Sequence, residues 1–261
     1  MGFSSVSKIS QADDSGQVWV SSFRKAVSSA ATGTNGWVDY TYFPGSPPAN
    51  FYASSPLTAA VVESDKGIYT GGNVTPATKH LKNLMLMSAA SSATSTTNGR
   101  QQVALCDYLL YYPFIDTDAI GEEQVMDNTV TIPRYTGGQV VAIAQSASST
   151  LGQFTFNYTN QDGVAGRVSQ NNFTFVVAGG GLMCLAIVKP LIKSVVSQEC
   201  RRTTSSNLES FGSCTELSSV IHQAGMPQIQ DGAVIGMLAS GYAGSLASSI
   251  LAGTLETIWS E

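Results

Sequence analysis

Short apolar runs alternate with turn-forming residues along most of this chain, at intervals of about eight to twelve residues, which is the rhythm of a β-sandwich or barrel. The clearest alternation is QFTFNYT at 153–159. Phe154, Phe156 and Tyr158 take one face of a strand, and Gln153, Thr155, Asn157 and Thr159 take the other. NQDG at 160–163 then marks a hairpin turn. WVDYTYF at 37–43, QQVALCDYLLYYPFID at 101–116, NTVTIP at 128–133, GGQVVAIAQSAS at 137–148, FTFVVA at 173–178 and LMCLAIVKPLI at 182–192 read as further strands. GAVIGMLASG and SILAGTLETIW close the chain as core strands.

Some segments stay ambiguous. RKAVSSAAT at 24–32 suits a short helix or an edge strand. In KHLKNLMLMSAA at 79–90, a strand puts His80, Lys82, Leu84, Leu86 and Ser88 on one face. Lys79, Leu81, Asn83, Met85 and Met87 then share the other. A helix is equally allowed, because Leu81, Leu84 and Met85 fall at helical spacing. TELSSVIHQAG at 215–225 suits a turn or two of helix before Met226-Pro227 breaks it. Residues 44–58, with Pro44, Pro47 and Pro48, form an irregular extended segment.

These patterns predict a mainly β fold: an antiparallel β-sandwich or jelly-roll-like domain with an extended N-terminal segment and few short helices. Residues 1–58 read as an extended segment or arm, and 59–261 as the β-rich core. No fixed-period repeat argues for a propeller or solenoid.

Charge changes the picture. Asp, Glu, Lys and Arg make up only 12% of the chain against 43% hydrophobic residues, about half the charged share of an ordinary soluble domain. A surface of small neutral polar groups repels its neighbours weakly, which suits a protein packed in an assembly. The net charge of −5 and pI of about 5.0 argue against nucleic acid as a partner. Met1 is followed by GFSSVSKIS, without an apolar signal core. The uncharged run Gly232–Leu255 is long enough to span a bilayer. Its serines and glycines read instead as buried strands with a turn near Gly241–Gly244, so no membrane is expected.

Candidate chemistry is sparse. There is no GxSxG, and His80 and His222 are the two histidines. Cys106 and Cys184 sit in apolar strands as small buried residues; Cys200 and Cys214 flank a polar stretch that they could cross-link. The acidic loop FIDTDAIGEEQVMD offers Asp116, Asp118 and Glu122 as weak metal-ligand candidates, with Glu123 and Asp127 nearby. It begins like an EF-hand, but Ile120 and Asp127 depart from that pattern. The expectation is therefore no catalytic residue, no cofactor and no enzyme activity. Trp37, Tyr40, Tyr42, Phe43, Phe51 and Tyr52 form either a carbohydrate platform or core and subunit contacts.

Several segments together resemble proteins encoded in the head-gene region of tailed bacteriophages: ISQADDSGQVWVSSFRKA (9–26), residues 72–116, IPRYTGGQVVAIAQSASS (132–149), GLMCLAIVKPL (181–191) and residues 226–260. The resemblance lies in general texture across most of the chain. It implies a decoration or cement protein on the outside of the head, made in the bacterial cytoplasm. Its partners would be the major capsid protein and identical subunits, as a homotrimer. It supplies no catalytic residues. A major capsid protein fits less well, since that shell fold needs a long spine helix and no amphipathic run here has the length. A tail or fibre component binding a host glycan is the alternative, and an enzyme such as a depolymerase, with an unrecognised serine or acid site, is a third possibility.

Overall fold

The structure is a computed structural model that describes residues 3–26, 37–49, 59–90, 101–116, 121, 123–125, 130–134, 138–144, 155–160, 162–169, 182–197, 226–240 and 249–260. It is mainly β and antiparallel, as the alternation predicts. One helix, α1 (Val6–Asp14), precedes strands β1 (Val18–Ala26), β2 (Trp37–Asp39), β3 (Gly45–Ser46), β4 (Thr78–Ala90), β5 (Gln101–Asp116) and β6 (Gln139–Ala144). The hairpin β7 (Asn157–Tyr158) and β8 (Arg167–Val168) follows, then β9 (Leu182–Ser197), β10 (Gln228–Ile229), β11 (Ile235–Ser240) and β12 (Ser249–Ser260).

Two five-stranded sheets form, in the orders β10-β4-β12-β1-β3 and β2-β11-β5-β9-β6. One core joins them. Phe23, Leu81, Leu84, Leu86, Ile229 and Leu255 from the first sheet meet Leu105, Ile235 and Met237 from the second. A smaller cluster, with Val62, Ala104, Cys106, Tyr108 and Leu238, covers the other face of the second sheet.

Strands from residues 1–58 pair with strands from the rest of the chain. β1 runs beside β12 for its whole length, from Val18 opposite Ile258 to Ala26 opposite Ile250. β2 pairs with β11 in the second sheet. The described part of 1–58 is thus woven into both sheets, because Phe23 must be buried and a single strand cannot bury it alone. The RKA of the ambiguous 24–32 segment belongs to β1; residues 27–32 lie outside the described residues.

The 79–90 segment is a strand, and its mixed periodicity has a physical cause. Strict alternation separates Leu81 from Leu84 and Leu86. The register with β12 shifts between Glu256, opposite Asn83, and Thr257, opposite Leu81. Lys82 is therefore an extra residue, a β-bulge. The bulge returns Leu81 to the side of Leu84 and Leu86, and all three enter the same core. What reads as helical spacing is the imprint of the bulge.

Three local readings are corrected. α1 falls where the sequence pattern offered no helix. Its apolar face is slight, with Ala12 buried. It is held by a cap, with Ser5 Oγ accepting from the Lys8 N–H, and by Lys82 Nζ at 2.9 Å from Asp13. The 37–43 strand ends at Asp39 and continues as a 3₁₀ turn over Tyr40–Tyr42. There the Asp39 carboxylate accepts from the N–H of Thr41 and draws the backbone round. The strand expected at 128–133 is not formed in its described part, where a turn contains Arg134 at φ +50°. The NQDG turn is as expected: Asn160 Oδ1 accepts from Asp162 and Val164 N–H groups, and Gly163 takes φ +76°. The strand before it is shorter than the alternation suggests. The expected strand at 173–178 and the helical turn at 215–225 lie outside the described residues.

Gly253 sits where β12 crosses under Phe23. A Cβ there would lie 2.7 Å from Phe23 Cζ and closer still to the Met85 carbonyl. Gly253→Ala should therefore lower the unfolding free energy by about 2–3 kcal/mol, the cost of overpacking a tight core. Urea denaturation checks this, and an unchanged midpoint would show that the two strands are further apart than described.

Candidate functional site: buried charges and the loops they hold

With so few charged residues, it matters that several are buried. Lys25, Lys79, Asp39 and Asp107 are all at most 2% exposed. A buried charge is costly unless it is paired or hydrogen-bonded. Each of these four has partners, and each ties a loop to a sheet.

Lys25 points inward from β1, on the Phe23 side. Its Nζ donates toward the carbonyls of Pro47 (2.6 Å), Phe43 (3.1 Å), Pro48 (3.3 Å) and Thr41 (3.4 Å). The ammonium sits in a nest of backbone oxygens and fixes the chain from the 3₁₀ turn through β3. Burial lowers its pKa to about 8; the charge of Asp39 works against that shift and that of Lys66 adds to it.

Asp39 lies at the end of β2. Its Oδ1 accepts from the N–H (2.8 Å) and Oγ1 (2.6 Å) of Thr41 and from Tyr108 OH (2.8 Å). The turn is thereby fastened to β5. Gly236 of β11 lies beneath this knot. A Cβ at Gly236 would be 2.5 Å from the Tyr108 ring, with the Thr41 methyl pressed against it as well.

Lys79 donates to the carbonyls of Gly72 (2.8 Å) and Gly71 (3.2 Å), with Asp231 at 3.7 Å. Desolvation lowers its pKa against the pull of Asp231. Asp231 binds the far side of the same loop, through Val74 and Thr75 N–H groups and Thr75 Oγ1. Burial would raise the Asp231 carboxyl, but the hydrogen bonds from Thr75 and Val74 and the Lys79 charge outweigh it and hold the pKa below the usual value.

Asp107 completes the set. Arg134 grips it through Nε (3.2 Å) and Nη2 (2.9 Å), and the Val234 N–H donates to the same carboxylate at 2.9 Å. Arg134 makes this fork from a left-handed turn position, at φ +50°. Sequence reasoning missed all four residues. Lys25, Asp39, Lys79 and Asp107 each stand inside a strand pattern, where a charge reads as solvent-facing. For Asp39 and Asp107 the available signal was an ionisable residue between apolar neighbours on both sides, as in LCDYL at 105–109; Lys25, beside Arg24, and Lys79, between Thr78 and His80, carry no such signal.

Asp116 is the last residue of β5, opposite Leu182. Asp118 and Glu122 lie outside the described residues, as do Cys200, Cys214 and His222. Among the described residues, no group of three or more His, Cys, Asp or Glu side chains could hold a metal. Cys106 is buried, and its thiol is pushed up to about 12 by desolvation, reinforced by the charges of Asp39 and Asp107, so it is a poor nucleophile. His80 is buried beneath Phe3, with Nδ1 3.2 Å from the Met226 carbonyl and Nε2 without a partner. Of the aromatic set, Tyr40 is buried and Phe43 packs against the core, so these two serve the interior. Phe51 and Tyr52 lie outside the described residues. The exposed aromatic pair is a different one: Trp19 and Tyr69, edge to face with ring centres 5.4 Å apart. Among the described residues, no helix is long and apolar enough to cross a membrane. Comparison with family models, curated proteins and solved structures finds no match to this chain.

What this arrangement does chemically is rigidify. Two pH signatures follow. Between pH 8 and 10.5 the unfolded chain keeps a proton on Lys25 that the folded chain has released, so stability should rise with pH across that window. Lys25→Met should abolish the rise when guanidinium midpoints are compared at the two ends. At pH 7 it should cost about 1–3 kcal/mol through the stranded carbonyls. For His80, desolvation lowers the folded pKa below 6.5, despite the Met226 carbonyl, which favours the charged form. Stability should therefore fall as pH drops through 6.5. A His80→Leu protein should show a flatter acid limb in the same titration, and an equally steep one would remove His80 as the cause.

Proposed function

We propose that this chain is a non-catalytic structural protein of a tailed-bacteriophage virion, a decoration or cement protein bound to the outside of the assembled head. Its partners in this reading are the major capsid protein and further copies of itself. The observation that carries the reading is the use made of the buried charges. Lys25, Lys79, Asp39 and Asp107, the last with the half-buried Arg134, are directed at backbone carbonyls, N–H groups and one another, and so hold loops on a two-sheet frame. A cement protein stabilises a shell by binding only the assembled state, so its binding energy adds to the assembly equilibrium. Loops already fixed lose little entropy on docking, which favours such binding. The head-gene texture of the sequence supports the same reading, as does the low charge, which lets copies and shell approach closely.

Deleting residues 1–58 would remove a strand paired along its whole length, so the deletion would report on folding. The purified full chain should instead be incubated with emptied heads of the encoding phage. Co-sedimentation with heads, and a higher temperature of head disruption, are expected. Particle reconstruction should then place its density on the outer shell. No co-sedimentation, or density only at the tail, would defeat the proposal.

A further inference from the structure

The edge of the first sheet carries an inference that is independent of the virion reading. β1 pairs with β12 on one side. On the other, β3 reaches only Arg24 and Lys25, and among the described residues nothing pairs with Val18–Phe23 there. The phase of the ladder is fixed by Trp259, whose N–H donates to the Gln17 carbonyl at 3.1 Å. Odd-numbered residues of β1 therefore bond to β12, and the N–H and C=O groups of Val18, Val20 and Ser22 point away from the sheet.

An open edge of this kind is ordinarily blunted by lysine, proline, a bulge or a covering loop. VWVSSF holds no charge and no proline, and its register with β12 is unbroken. Apolar side chains are exposed on both faces of it: Val20 at 54%, and Trp19 at 43% beside Tyr69 at 58%. Trp19 is also fixed in place. Its Nε1 donates to Ser21 Oγ at 2.9 Å, Ser21 Oγ donates to the Tyr69 carbonyl, and Gly71 packs under the ring. A preset aromatic side chain loses little entropy on contact, which is how binding hot spots are built.

We propose that this edge pairs with the same edge of a second copy, antiparallel about a two-fold axis at Val20. Three features select a second copy as the occupant. Only an extended strand satisfies a row of alternating donors and acceptors. The edge is self-complementary, since centring on Val20 sets Val18 against Ser22 and Trp19 against Ser21, with the outward groups of 18, 20 and 22 facing those of 22, 20 and 18. Finally, Gln17–Phe23 is uncharged, so two copies meet there without repulsion. The first sheets of the two copies become one continuous sheet across the β1–β1 seam, with the Trp19–Tyr69 pairs flanking it.

The test is the mass of the full chain by light scattering after gel filtration, over a range of concentrations. A dimer is expected. Val20→Pro removes the central outward N–H without touching a bond to β12, and proline is tolerated at such an edge position. Val20→Lys sets two cations against each other at the axis. Both variants should run as monomers while keeping the wild-type circular dichroism and thermal midpoint. If either variant fails to fold, the other decides. A monomeric wild type, or any oligomer (a trimer included) that survives both substitutions, overturns the proposal. Head binding by a monomeric chain would overturn this pairing and leave the virion reading standing.

Discussion

The fold turns on β12. It lies in the middle of the first sheet, between β1 and β4, and brings the C-terminal end of the chain beside the N-terminal strand. An antiparallel sheet has no side-chain preference strong enough to set such a register unaided; one face must be buried for a slip to be costly. Here Leu255 and Phe23 supply the buried face, and Gly253 allows the Phe23 ring to lie across the strand. Leu81 completes that face through the bulge at Lys82. The same bulge frees Lys82 to reach Asp13 of α1 and Glu256 of β12. One extra residue thus sets the core register, docks the helix, and produces a sequence that reads as either strand or helix.

The second constraint is the cost of the buried charges. Desolvating an ion costs several kcal/mol even after relaxation, and its partners must recover most of that. A hydrophobic side chain at Lys25 or Asp107 would be cheaper for the core alone. What it would lose is the fastening of a loop. Backbone carbonyls of Thr41, Phe43, Pro47, Pro48, Gly71 and Gly72 turn toward a lysine, and an ammonium satisfies several at once. The pairings are also selective: Lys25 meets carbonyls, while Asp39 meets two hydroxyls and an N–H, so neither can trade places without stranding a charge. The interior gains definition at some expense in stability.

Strand identity was legible because period-two alternation and turn residues are local signals. β5, β6, β9, β11 and β12 stand where the apolar runs are, and the turn at Asn160–Gly163 is where its residues place it. What was not legible was non-local. That Val18–Ala26 belongs in a sheet depends on residues more than two hundred positions away, and no local pattern carries that. α1 was hidden because a cap and an ion pair, rather than an apolar stripe, hold it. The clamps were hidden for the opposite reason: a charge in an alternating strand looks like its polar phase. The Asp116–Glu122 loop stands out through its acidic residues and its EF-hand-like start, whereas the residues that organise the described loops are single charges scattered through strands.

Low charge ties these observations together. A chain with few ionisable residues that directs several of them inward leaves a surface short of gatekeepers. Gln17–Phe23 is where that shortage meets an unpaired row of backbone groups. An ordinary monomer keeps such an edge apart from its copies by placing a lysine there; here the nearest lysine on the strand, Lys25, has been turned into the core to hold a loop. That lysine is occupied in building the fold, and the exposed Arg24 lies just beyond the segment, where β3 pairs. The exposed valines and the fixed indole are then a consequence of how the loops are secured, and self-association at β1 is the physical counterpart of the clamp beneath it.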